Sequence, residues 1–236
     1  MGQARQRGTR EERIAAMRDE FGVRGISRER FNAFVSWTRV PVAKHMSEEL
    51  EWFANRDETV LGLVGLDYTD RDFLFITLGR DEKGRFRCID VGVSLQAKSE
   101  ARRQLFSSIQ KHSSEGKSLF PQGDQDKAGV DLFTPVVAED KLHKNFNLVR
   151  NHAVWTPANA MLSEMMRHFV DIDGNFVEQF QTTGFDARLW ELYLYAYMVE
   201  EGLYVDRPEP APDFSVKLGG KTVFIEAVTV NATAGD

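Results

Sequence analysis

Cys88 is the only cysteine in the 236 residues, so no disulfide can form within the chain. It lies in the run Arg85-Phe86-Arg87-Cys88-Ile89-Asp90-Val91 with no accompanying His/Asn pattern. It therefore reads as a small core residue and not as a nucleophile. Absent disulfides fit the cytoplasm. Long apolar runs are missing too. Nothing approaches the roughly 18 residues of a membrane span, and the Arg/Glu-rich N-terminus has no apolar segment of the kind that marks secretion. No membrane partner is expected. An excess of positive charge is also lacking. With 30 Lys+Arg against 36 Asp+Glu, the formal net charge is -6. Global electrostatics thus give no sign of a nucleic-acid binder, although a local basic groove stays compatible with them.

What is present is ordinary for a folded protein. Hydrophobic residues make up 42% and charged residues 28% of the chain, enough for a packed core in one large domain or two small ones. Residues 10–21 have helical spacing, with Ile14, Met17 and Phe21 on one side. Ser27 caps a second helix that Pro41 stops, and residues 47–53 read as a third. The period then changes. Residues 59–67, 72–78 and 86–95 are β-rich runs separated by turn residues, which predicts a three-stranded antiparallel meander. A helix over 99–108 follows.

Residues 113–129 are rich in Ser, Gly, Gln and Asp and read as a linker or surface loop. Pro157 opens a helix running to Phe169, Asp171 to Asn175 form a turn, and a strongly apolar helix spans 186–200. Gly202 ends it, and three short strands follow. The fold class expected is α+β, in three parts. Residues 1–112 form an N-terminal module of helices plus the meander, 113–156 a loop-rich region, and 157–236 a C-terminal α/β core.

Several motifs fail on inspection. Gly116-Lys117-Ser118 lacks the glycine of a phosphate-binding loop, because that position is Lys111. Asp171-Ile172-Asp173-Gly174 puts its glycine at position 4 of a would-be calcium loop instead of position 6. The strand-to-helix junction Leu95-Gln96-Ala97-Lys98-Ser99 offers no glycine for a pyrophosphate loop of the acetyltransferase kind. His45, His112, His143, His152 and His168 show no ligand spacing and read as surface or capping residues.

The informative stretch lies near the end. Gly219-Gly220 between two β-rich runs predicts a two-residue hairpin turn. If those two are the turn, Leu218 faces Lys221, Lys217 faces Thr222, Ser215 faces Phe224 and Asp213 faces Glu226. Alternation then puts Phe214, Val216, Leu218, Val223, Ile225 and Ala227 on a core face. The carboxylates of Asp213 and Glu226 share the other face, with Cβ atoms about 4.5–5.5 Å apart. Two opposed carboxylates disfavour the fold unless a cation lies between them. Mg²⁺ suits such a pair, completed by water and phosphate. Glu191, alone in the apolar helix, is costly unless paired, metal-bound or protonated.

A helix bearing Glu, the strand Gly202-Leu203-Tyr204-Val205-Asp206, then Pro212-Asp213, a hairpin and Ile225-Glu226 resembles the PD-(D/E)xK, or restriction-endonuclease-like, nuclease superfamily. The resemblance covers residues 186–231. It implies a restriction-endonuclease-like core in which Asp213, Glu226 and the carbonyl of Ala227 hold Mg²⁺ or Mn²⁺. Glu191 would support the metal or its water, and the reaction would be phosphodiester hydrolysis by metal-activated water. The partner implied is nucleic acid, with DNA foremost, and a dimer is compatible with the family. The pattern departs at one position, since the lysine expected two residues after the Glu is Val228. Lys217 is the candidate replacement, on the same face but four residues from Asp213, about 13 Å at ordinary strand rise. The family core usually adds a helix and a strand after the Glu strand, so an incomplete core, or one completed from elsewhere in the chain, is expected. The alternative function is a non-catalytic nuclease-fold protein that binds nucleic acid or a protein partner.

Overall fold

The computed structural model describes residues 22–114, 116–124, 129–207 and 212–230. The helix expected over 10–21 lies outside the described residues. The chain divides into two compact units. One comprises Met1–Thr38 and Val42–Gly123, the other Arg39–Pro41 and Asp124–Asp236.

The first unit is organised by a strand that is buried on both faces. Val60, Leu61 and Val64 are almost fully enclosed, and the strand they belong to, β3 (Val60–Asp67), sits at the middle of a five-stranded sheet. Its neighbours are β2 (Ser47–Asn55) and β4 (Phe73–Arg80), with β1 (Val23–Gly25) and β5 (Phe86–Leu95) outermost. Every pairing is antiparallel, in chain order. The meander read from the sequence is therefore present as β3, β4 and β5.

The helix expected over 47–53 is instead β2. A strand buried on both faces needs ladder partners along both edges for its backbone groups. Only residues 47–55 supply the second partner. That non-local demand overrides a helical spacing of Leu50 and Phe53.

Alternation along β3 sends its side chains into two cores. Val60 and Val64 meet Ala101, Leu105, Phe106 and Ile109 of the long helix Lys98–Ser114. Leu61 and Leu63 meet Phe31 and Val35 of α1 (Arg28–Val35) on the other face. Ser27 caps α1 as expected, its hydroxyl accepting from the Arg30 amide. A short helix, α2 (Ala43–Met46), leads into β2, and Lys98–Ser114 is α3.

Cys88, expected in the core, is exposed on β5. That strand is the outer edge of the sheet, and two register shifts interrupt its ladder with β4. Partial enclosure by its neighbours pushes the thiol pKa up, so the cysteine is not an activated nucleophile.

The second unit holds α4 (Lys144–Asn151), α5 (Thr156–Met166), α6 (Phe176–Gln181) and α7 (Phe185–Glu200). A three-stranded sheet follows, β6 (Tyr204–Asp206), β7 (Phe214–Leu218) and β8 (Lys221–Ile225), in the order β6-β7-β8. Pro157 falls in the first turn of α5, where its missing N–H costs nothing. Asp171 accepts from the Gly174 and Phe176 amides and so closes the expected turn at the start of α6.

The stretch 113–156, expected to be loop-rich, contains α4 and belongs to the second unit from Asp124 onward. The fully buried Gln181 amide anchors part of it. Its oxygen accepts from Val136 N, and its nitrogen donates to the carbonyls of Leu132 and Thr134. Although α7 is strongly apolar, Trp190, Tyr193 and Tyr197 form an exposed stripe at 39%, 60% and 53%. No helix among the described residues is long and apolar enough to cross a membrane.

The helix packs closely on the sheet at Gly62, where an added Cβ would lie 2.5 Å from Leu105 Cδ1. Gly62→Val should overpack this contact and lower stability by about 1–3 kcal/mol. Urea unfolding of the variant, read against wild type, measures the loss.

Candidate active site

The site begins with a turn. Gly219 and Gly220 have φ of 55° and 75°, the left-handed pair that a two-residue hairpin requires and that side chains resist. From that turn the ladder runs Leu218↔Lys221, Lys217↔Thr222, Val216↔Val223, Ser215↔Phe224 and Phe214↔Ile225. The register agrees with the pairing inferred from the two glycines. One further step sets Asp213 opposite Glu226, just beyond the strand ends.

The core face is only partly as expected. Phe214 and Val216 are buried and pack with Met198 of α7. Ile225 and Ala227 are half-buried. Val223 is 48% exposed, because β8 is the outer strand of this sheet and nothing among the described residues covers that end.

Asp213 is half-buried, and its Oδ2 accepts a 2.7 Å hydrogen bond from the backbone N–H of Ala227. This bond holds the chain after Glu226 against the Asp213 carboxylate. Glu226 itself is exposed. Lys217 is exposed as well, at the far end of β7, and Val228 is 78% exposed.

Glu191 is only 2% exposed, so its charge must be matched. Arg188, one turn earlier on α7, donates from Nη1 to Oε2 at 2.5 Å. Arg207, just past β6, donates from Nη2 to Oε1 at 2.7 Å. Both guanidiniums rest on rings. Arg207 lies 4.2 Å from the Phe169 centroid and 5.4 Å from that of Phe214, and Arg188 lies 5.2 Å from Phe176. Arg188 also donates to Gln179 Oε1. Arg207 Nε and Nη1 are buried without an acceptor among the described residues.

Burial pushes the Glu191 pKa above the ordinary carboxylate value. The two arginines oppose the shift without cancelling it, and the Asp213 charge adds to it. Glu191 and Asp213 therefore sense each other electrostatically.

The structure thus brings three of the expected residues to one end of the hairpin, namely Asp213, Glu226 and Ala227, with Glu191 within electrostatic range. It does not bring Lys217 there. No group of three His, Cys, Asp or Glu side chains poised to hold a metal occurs among the described residues. The oxygen donors left for a hard cation are Asp213 and Glu226, because Glu191 is committed to two arginines. Those arginines went unrecognised in the sequence. Arg188 was discernible as an i,i+3 partner of Glu191 on one helix face. Arg207, sixteen residues along, carried no local signal.

Glu191→Ala would leave two arginines without their shared counter-ion. We expect a loss of about 3–5 kcal/mol in urea unfolding at neutral pH. The raised pKa fixes the sign of the pH dependence. The stability linked to Glu191 is present below the ordinary carboxylate pKa and is lost as pH rises through the raised one. Glu191→Gln should remove that part of the pH slope.

No protein-family profile, curated protein or solved structure matches the chain.

Proposed function

We propose that the C-terminal unit is a PD-(D/E)xK-type nuclease core that hydrolyses phosphodiester bonds in nucleic acid, with DNA the expected substrate and the cytoplasm the expected setting. The observation supporting this most is the hairpin ladder, whose next step opposes Asp213 to Glu226 while Ala227 N–H fixes the Asp213 carboxylate. The donor set is all oxygen, which suits Mg²⁺ or Mn²⁺. Asp213, Glu226 and the Ala227 carbonyl are the groups that would hold such an ion. When bound, it would supply water activation and charge neutralisation at the phosphate.

The remaining roles fall to the chain itself. The Ala227 amide restrains the rotation of Asp213 and so limits the entropy lost when the site fills. Arg188 and Arg207 offset the Glu191 charge beside Asp213, which lowers the repulsion an incoming phosphate would meet. Lys217, expected from the resemblance to orient the attacking water, lies at the turn end of β7 and is given no role in the site. The restriction-endonuclease-like topology is part of this proposal and rests on the order of the Glu helix, strand, Asp, hairpin and Glu.

A second reading has its own support. Val228 stands exposed where the pattern has lysine, and Glu191 is locked by two ion pairs. Both favour a nuclease-fold protein that binds nucleic acid or a protein partner without cutting.

Cleavage assays on single- and double-stranded DNA and RNA with Mg²⁺ or Mn²⁺ separate the two. On the nuclease reading, Asp213→Ala and Glu226→Ala each lower the rate on the order of 100-fold or more. Wild type that cuts nothing, yet is stabilised by Mn²⁺ in a manner Asp213→Ala abolishes, would favour the second reading. Cutting that survives both substitutions would remove the first.

A further inference from the structure

The first unit contains a second cluster of charge, far along the chain from the hairpin. β1 pairs with only the last part of β2, from Val23↔Asn55 to Gly25↔Phe53. One more bond runs from Ile26 N to Trp52 O. The chain then leaves the sheet at Ser27 to begin α1, and among the described residues no strand lies beside the remaining outer edge of β2. At that same place β2 is bulged. Glu49 pairs with Gly65 and Glu51 with Val64, so Leu50 is the extra residue. Bulges re-aim side chains and interrupt a ladder. The result is an open recess of about 330 Å³ bounded by Gly25, Ile26, Leu50, Trp52 and the Glu51–Arg102 pair, within the size range of small-molecule sites.

The charges at this recess do not balance. Glu51 receives Arg102 through two parallel bonds, Nε to Oε2 at 2.8 Å and Nη2 to Oε1 at 2.5 Å. It also receives Lys98 Nζ at 3.1 Å. Lys98 and Arg102 are one turn apart on α3 and share a face. Two cations therefore meet one carboxylate.

Arg28 adds a third cation, 6.0 Å from the Trp52 ring, and Glu49 adds a second carboxylate, which accepts from the Trp52 indole N–H at 2.8 Å. Lys98 and Arg102 exceed Glu51 by one positive charge, while Arg28 also has Glu29 acting on it. The Arg102 side chain is only 6% exposed. Its Nη1 bonds to nothing among the described residues, yet it is not an enclosed orphan. Arg102 is one of the residues that line the recess. An arginine fork of this kind favours carboxylate or phosphate oxygens.

We propose that this recess binds a small molecule carrying an oxyanion, phosphate or carboxylate, whose body lies against Trp52 and Ile26. The oxyanion accepts from Arg102 Nη1 and from the Lys98 N–H groups that Glu51 leaves unused. Glu51 orients both cations and holds them near the recess when it is empty. The site is independent of the hairpin carboxylates and stands whether or not the second unit cuts nucleic acid.

The test follows the Trp52 indole N–H in ¹H–¹⁵N spectra of the full chain, identified by its loss in Trp52→Phe. Pyrophosphate and benzoate are titrated separately. A saturable shift with either probe is the result expected, and the probe that produces it names the oxyanion. Affinity should fall about tenfold or more in Arg102→Met and in Lys98→Gln, since a charge-assisted bond is lost in each. Should Arg102→Met fail to fold, Lys98→Gln alone carries the comparison, because Lys98 is 29% exposed and not needed for the core. The proposal is overturned if neither probe gives a saturable shift, or if Lys98→Gln binds as tightly as wild type.

Discussion

The register of the β7–β8 hairpin is the constraint on which the candidate site depends. Side chains alternate with a period of two, so a slip of one residue would exchange the faces. Phe214 and Val216 would leave the core, Lys217 would enter it, and Asp213 would no longer oppose Glu226. Burying those two apolar side chains is worth roughly 3–6 kcal/mol together. Two carboxylates brought to about 4 Å near a protein surface would repel by roughly 1–4 kcal/mol. The apolar face therefore outweighs the repulsion, and the acids are held opposed by packing that has nothing to do with their chemistry. Gly219 and Gly220, both at positive φ, remove the competing turn geometries.

How much of this was legible depended on how local its cause was. The meander and the hairpin were, because their turns are marked by residues such as Gly84 and Gly219-Gly220 and their strands carry a period of two. The strand Ser47–Asn55 was not. Leu50 and Phe53 fit a helix, and only the demand of β3 for a second ladder partner decides otherwise. Cys88 was misplaced for a similar reason. Phe86, Ile89 and Val91 lie in the same run and suggest a strand with a core face, but β5 lies at the edge of the sheet. For α7, composition announced an apolar helix without saying which neighbours would arrive, and none covers Trp190, Tyr193 and Tyr197 among the described residues. Glu191 was rightly read as buried and in need of a partner. Its partners are Arg188 and Arg207, and the second is supplied only by the fold.

That pairing alters the electrostatics expected of the site. Three carboxylates alone, Asp213, Glu191 and Glu226, would carry a charge of about −3, which attracts cations and repels phosphate. Arg188 and Arg207 bring the sum to about −1. On the proposed reading, a divalent ion held by Asp213 and Glu226 would then leave the assembly near +1, matched to the single charge of a phosphodiester. Cationic compensation that the PD-(D/E)xK pattern obtains from a lysine beside its Glu would here come from a helix and from the end of β6, with Val228 left free of it. The formal charge of -6 for the whole chain conceals this arrangement, as it conceals the positive excess around Arg102. For a chain of this composition, what can approach a site is decided by a few ion pairs at the edges of two small sheets, and the net charge has little bearing on it.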